Sequence, residues 1–198
     1  FLLHSNAGAT AKLLLDVNGQ CEASGGSRTN VTTPVFNTDG DATTFSASEL
    51  AIINEVWARI AEDYAPFNID VTTEDPGTLA NGVAAVFAIG GSYSDWYGSA
   101  AGGVAYVGGF YNLSSNVGYV FANNLGGSAK NISEAASHEA GHLFGLQHQA
   151  SWSGSTMTEA YNSGNGAWAP LMGVGYSATR TTWHNGATAA GPTAYQDD

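Results

Sequence analysis

Three of the chain's five histidines fall within eleven residues, in HEAGHLFGLQH (138–148). On an α-helix of 3.6 residues per turn, His138 and His142 lie one turn apart on one face, so both imidazoles can reach a single point. Neutral imidazole is a good zinc ligand, with bonds of about 2.0–2.1 Å. Glu139 is turned about 100° from His138. That is too far round for a comfortable third ligand, yet within reach of a water on the ion, where a general base must sit. His148 lies six residues past His142, where a continuing helix would carry it away from that point. Gly145 supplies the turn: glycine enters the left-handed conformation that ends helices without a Cβ penalty, and three more residues return His148 to the ion. Three protein ligands and one open position form the coordination of a catalytic zinc, whereas a structural zinc is closed by a fourth ligand. His138, His142 and His148 are therefore the expected metal ligands and Glu139 the expected catalytic base. His4 and His184 stand alone and are read as surface or hydrogen-bonded structural residues.

The elements that must hold this motif are partly legible. AKLLLDVNG (11–19) reads as a buried strand ending in an Asn-Gly turn, and residues 20–45 as a long polar connection. Ser46 and Glu49 form a capping box that opens a helix over ASELAIINEVWARIAEDY, with Leu50, Ile53, Trp57, Ile60 and Tyr64 as its apolar stripe. Pro66 ends it. FNIDVTTED (67–75) alternates as a half-buried strand, VAAVFAIGG reads as a more deeply buried one, and GGVAYVGGF (102–110) and VGYVFANNL (117–125) as two short glycine-bounded strands. Asn131 and Glu134 form a second capping box, so the helix carrying the histidines is expected to begin near Ile132. Beyond Leu146 periodicity fades. Residues 149–198 are rich in Gly, Ser, Thr and Asn with scattered aromatics that need burial, which suggests a smaller irregular lobe.

Composition narrows the partners. Seventeen Asp and Glu face five Lys and Arg, a formal net charge of −12, with a pI near 4.4. Nucleic acid and anionic membranes both require a basic face, so neither is an expected partner. The acidity is read as solubility in a secreted or high-salt setting, with bound calcium as the sharper alternative. The calcium candidate is NTDGDATTF (37–45), but its Gly40 precedes Asp41 where the calcium-loop pattern needs glycine later, which favours a solvated turn. The single cysteine, Cys21, excludes an internal disulfide framework and a multi-cysteine zinc site. Low lysine and abundant small polar residues suggest an exported bacterial protein. FLLHSNAGA at the start shows no signal peptide.

HEAGHLFGLQH matches the HExxHxxGxxH signature at every defining position, and the chain resembles the metzincin zinc peptidases, closest to the reprolysin-like branch of secreted bacterial enzymes. APLMGVGY (169–176) is similar to the turn those enzymes place beneath the metal, with Met172 as its methionine. The resemblance implies an α+β fold. It would have an upper lobe (about 1–145) with a mixed, mostly parallel sheet, a backing helix and the active-site helix, and a small irregular lower lobe (about 146–198), together one catalytic domain spanning 1–198. It implies a secreted zinc-dependent endopeptidase acting on proteins or peptides, a propeptide removed on maturation, and a monomer. It also implies an antiparallel edge strand that holds extended substrate by main-chain pairing, here Gly102, Gly103, Val104, Ala105 and Tyr106. Residues 170–174 would wall the pocket for the side chain after the scissile bond. Two positions depart from the family. Val174 stands where several branches have a tyrosine two residues after the methionine, so Tyr176 is assigned to packing. The sequence also ends at TAYQDD, where the family has a C-terminal helix.

Two readings compete with this one. A binding or adhesion module retaining zinc is disfavoured by the intact Glu139. A zinc amidohydrolase acting on a non-peptide amide would have no use for the edge strand. A zinc-blocking role for Cys21, as in latent metzincins, is weakened by its NGQCEAS context.

Overall fold

The computed structural model describes residues 2–25, 28–112 and 115–198, and side chains within that range except those of 20–25 and 28–30. The upper part is built from β1 (Ala11–Asp16), β2 (Gln20–Gly25), β3 (Arg28–Thr33), α1 (Ala47–Asp63), β4 (Ile69–Thr72), β5 (Ala84–Ile89), α2 (Tyr93–Trp96), β6 (Gly103–Val104), β7 (Val117–Val120) and α3 (Ala129–Leu143). Five strands form one sheet in the order β4-β1-β5-β7-β6. The first four are parallel, and β6 is the antiparallel edge strand. This is the mixed, mostly parallel α+β architecture that the resemblance implies.

Strand periodicity divides the core. Leu13, Leu15, Ala85, Phe87, Ile89 and Val120 face α1 and α3, packing on Ile53, Ile60, Ile132, Ala136 and Leu143. The alternate residues Leu14, Val86, Ala88, Val117 and Tyr119 face away, onto Val31, Phe121 and the rings of Tyr93, Trp96 and Tyr97. Both faces are covered, which is why these strands read as continuous apolar runs. The α1 capping box forms as expected, and the Glu49 carboxylate also accepts Thr38 N–H at 2.6 Å, tying the preceding loop to the helix. The α1 stripe includes Val56, and Trp57 lies at its margin with its indole N–H on Val71 O.

Three expectations change. Residues 20–25 and 28–33, read as connection, pair as the antiparallel strands β2 and β3. The edge strand of 102–110 is only Gly103–Val104. Beyond it Gly108 N–H and Phe110 N–H bond to His142 O and Leu143 O, so the chain leaves the sheet to bind the end of α3. Finally, α3 starts a turn earlier than expected, with Ser128 as its N-cap accepting from Asn131 N–H.

Residues 146–198 contain no α-helix. They hold β8 (Ser151–Ser153), β9 (Thr156–Glu159), β10 (Trp168–Pro170), β11 (Arg180–Thr182), β12 (Asn185–Ala187) and β13 (Tyr195–Asp197), paired two by two. Trp183 anchors this part: its ring meets Tyr64 edge-on at 5.2 Å and its indole N–H bonds to Asp63 O.

Candidate metal centre and active-site cleft

Gly145 ends α3 as its position predicts. Its φ is +107°, its N–H bonds to His142 O and that of Leu146 to Gly141 O, the paired bonds of a Schellman motif. The chain then doubles back, bringing His148 Nε2 to 2.9 Å from His142 Nε2. Ligand atoms of His138, His142 and His148 all lie within 4.8 Å of one another, and among the described residues these form the one His/Cys/Asp/Glu grouping able to hold a metal. Tetrahedral bonds of 2.0–2.1 Å place ligand atoms about 3.3 Å apart, so the three nitrogens need little adjustment.

Local hydrogen bonds select the ligating atom. His138 Nδ1 donates to Leu171 O at 2.9 Å and His142 Nδ1 to Leu146 O at 2.7 Å. The proton is held on Nδ1 in each ring, leaving the Nε2 lone pair for the metal. Burial lowers all three imidazole pKa values, to about 3 for His138 and about 4 for His148, so the rings are neutral as ligation requires. The donor set fits zinc. Met172 is fully buried and packs against α3: a Cβ on Gly141 would strike its sulfur. The loop that supplies Leu171 O thus packs between the two helical histidines.

Glu139 sits beside this centre and is 9% exposed. Burial pushes its carboxyl up to about 8, opposed by a hydrogen bond from Ala105 N–H. The edge strand approaches so closely that a Cβ on Gly103 would come within 2.7 Å of Glu139 Cγ.

A cleft of about 390 Å³ runs over the site, with Gly102, Gly103, His138, Glu139 and His148 among its lining residues. Val104 instead packs into the aromatic cluster and Ala105 against the main core. Three cleft residues escape the sequence reading. The Tyr161 ring lies 4.1 Å from the His148 ring, tilted by 41°, and nothing near it in sequence signals this. Tyr176, assigned to packing, lies in the cleft with its hydroxyl against Gly102, and burial raises its pKa to about 12. Glu134 also lines it. Its signal was present, since it lies four residues before His138 and so on the same helix face.

The remaining candidates fall elsewhere. His4 bonds to Asp70 and Glu74 at 2.9 and 2.7 Å, and His184 meets the Trp168 ring edge-on. In NTDGDATTF the oxygens of Asn37, Asp39 and Asp41 accept from their own loop's donors, and no calcium site forms among the described residues. The Cys21 side chain lies outside the described residues.

A five-stranded sheet with an antiparallel edge, a helix bearing two histidines and a glycine turn returning a third define a zinc metallopeptidase of the metzincin type. The family model described as metallo-peptidase family M12B, reprolysin-like, matches residues 28–149, well over half of the chain and ending one residue past His148. The chain belongs to this family. Comparison with curated proteins gives no match.

Proposed function

We propose that the chain is a zinc-dependent endopeptidase that uses Glu139 to move the proton of the attacking water. The observation that carries this reading is the position of Glu139, buried beside three convergent imidazoles inside an open cleft. His138, His142 and His148 would hold zinc, which when bound would supply Lewis acidity toward a water and toward the carbonyl oxygen of the substrate. Glu139 accepts the water proton and delivers it to the leaving amine. A carboxyl raised by burial is a stronger proton acceptor than an exposed one, which favours the first half of the transfer. The Ala105 N–H fixes the carboxylate, and Gly103 leaves it room.

Substrate lies extended along β6, pairing with its main chain at Gly102, Gly103 and Val104. The edge position of β6 supports this, as does the absence of side chains at the two glycines. Because Ala105 N–H is committed to Glu139 and the chain turns away after Val104, Ala105 and Tyr106 contribute less to that pairing than the sequence suggests. Met172 and its loop hold His138 from below through Leu171 O. Residues 1–145 and 146–198 act as two lobes of one catalytic domain. No helix among the described residues is long and apolar enough to cross a membrane; an extracellular site of action is supported by the family and the composition.

The test is cleavage of an unfolded protein by wild type and Glu139→Gln, with zinc measured on the same preparations. Equal zinc and a fall of about 10²- to 10⁴-fold in turnover are expected when a proton-transferring group is lost. Near wild-type activity in the variant would remove Glu139 from the mechanism.

A further inference from the structure

The cleft contains an acidic group that the proposed hydrolysis does not use. Glu134 lies one helical turn before His138 on α3, about 6 Å away along the same face. One residue of an extended peptide spans about 3.3 Å, so a substrate side chain adjoining the bond at the metal centre can reach it. The Glu134 side chain is 13% exposed and lines the cleft together with the Val174–Tyr176 segment. A side chain at Gly175 would close this approach, since its Cβ would stand 2.9 Å from Glu134 Oε2 and collide with Thr181.

The carboxylate is under-used as an acceptor. Two carboxylate oxygens can take about four hydrogen bonds. Here the Thr181 hydroxyl supplies one, and Lys130 Nζ adds only a long ion pair at 3.7 Å from the preceding turn of α3. The short hydrogen bonds of Lys130 go to Gly175 O at 3.1 Å and Tyr176 O at 3.0 Å, so its pairing with Glu134 is the longer contact. The cleft lining includes two carboxylates, Glu134 and Glu139, and no lysine or arginine. An aliphatic substrate side chain packed here would desolvate Glu134 further with only the Thr181 bond and the long Lys130 pair in compensation, whereas a cationic one would add direct hydrogen bonds.

We propose that Glu134 makes the cleft selective for peptides with a lysine or arginine beside the scissile bond. This rests on the peptidase reading above. The cation enters between α3 and the Val174–Tyr176 segment, and the guanidinium or ammonium group donates to the Glu134 oxygens left free by Thr181.

The experiment is a cleavage profile of zinc-loaded wild type on a mixed peptide library read by mass spectrometry. Rates are then measured on quenched peptides differing only at the enriched position (Arg, Lys, Leu or Glu). Arg and Lys are expected to exceed Leu by about tenfold or more in kcat/KM, the scale of one hydrogen bond to a charged group, with Glu slowest. Glu134→Gln keeps the shape and an acceptor for Thr181, and is expected to lose the cationic preference while cleaving the Leu peptide within threefold of wild type. A wild-type profile without enrichment of Lys or Arg overturns the proposal without any variant, as does a preference that survives in a folded Glu134→Gln enzyme. Should that variant fail to fold, Glu134→Asp, with the carboxylate drawn back by one methylene, is expected to weaken the preference; an unchanged preference counts against the proposal. If wild type binds zinc and cleaves no peptide, the peptidase reading fails, and this inference with it.

Discussion

Replacing Gly145 with alanine isolates the residue that converts two helical ligands into a three-ligand centre. At φ +107° an L-residue brings Cβ against the backbone, at a cost of about 1–2 kcal/mol. The added Cβ would also lie 2.5 Å from the Tyr111 hydroxyl. Tyr111 is 65% exposed, so its ring can swing aside at little cost, and backbone strain is the larger effect. For a domain of this size 1–2 kcal/mol lowers Tm by roughly 2–8 °C. If the chain relieves the strain by relaxing residues 145–148, His148 leaves its place and the loss appears in metal affinity, by about 10- to 100-fold, as when a ligand loses its support. The assays are thermal unfolding with and without zinc, and zinc competition against a chelator. Gly145→Asn should retain more stability and affinity, because asparagine tolerates positive φ. Tyr111→Phe combined with Gly145→Ala should rescue neither quantity. Wild-type Tm and zinc affinity in Gly145→Ala would refute the role given to this turn, and rescue by Tyr111→Phe would move the cause from backbone to side chain.

Two other perturbations probe how the site is supported. Gly103→Ala places a methyl against Glu139 Cγ on one side and 2.9 Å from Tyr119 O on the other. A displacement of Glu139 by about 1 Å should lower kcat/KM by roughly 10²-fold with zinc content unchanged; equal activity would show that the edge strand can yield. Asp63 accepts a 2.6 Å hydrogen bond from Ser137, next to His138, and burial pushes its carboxyl up to about 6 from an ordinary 3.8. The folded chain therefore holds this proton more tightly than the unfolded one. The resulting stability is complete below pH 3.8 and is lost as pH rises through about 6, by at most about 3 kcal/mol. Asp63→Asn lacks this loss, so the variant should gain on wild type between pH 4.5 and 7.5 in unfolding experiments on metal-free protein. A stability difference that does not change with pH would contradict it.

What the sequence discloses about this site follows the range of the interactions involved. The pairing of His138 with His142 and the return of His148 after Gly145 depend on helix pitch and one glycine, both local, and the structure places those residues as the spacing suggests. The α1 capping box and the buried strands are local as well. The start of α3 is ambiguous in sequence because Asn131 with Glu134 and Ser128 with Asn131 offer competing caps within one turn, and the structure uses Ser128. The β2–β3 pair is not announced in sequence because its residues are mostly polar, without a hydrophobic face to mark the strands. The edge strand proved short for a non-local reason: Gly108 and Phe110 bond to carbonyls at the end of α3, a competition that the sequence of either segment alone does not reveal.

The same distinction explains the cleft. Tyr161 reaches His148, and Tyr176 reaches Gly102, across loops whose closure no periodicity encodes. Glu134 was read as a capping residue when it is a cleft residue, because one helical position offers both uses and only the partner decides. That partner is the 173–176 segment, where Gly175 leaves the carboxylate accessible and Tyr176 stands over the far side. The chemistry shared by the family is thus carried by a locally encoded motif. On the reading proposed above, substrate selection rests on residues that meet only when the lower segment folds against α3, and it is there that changes in specificity should arise without loss of zinc.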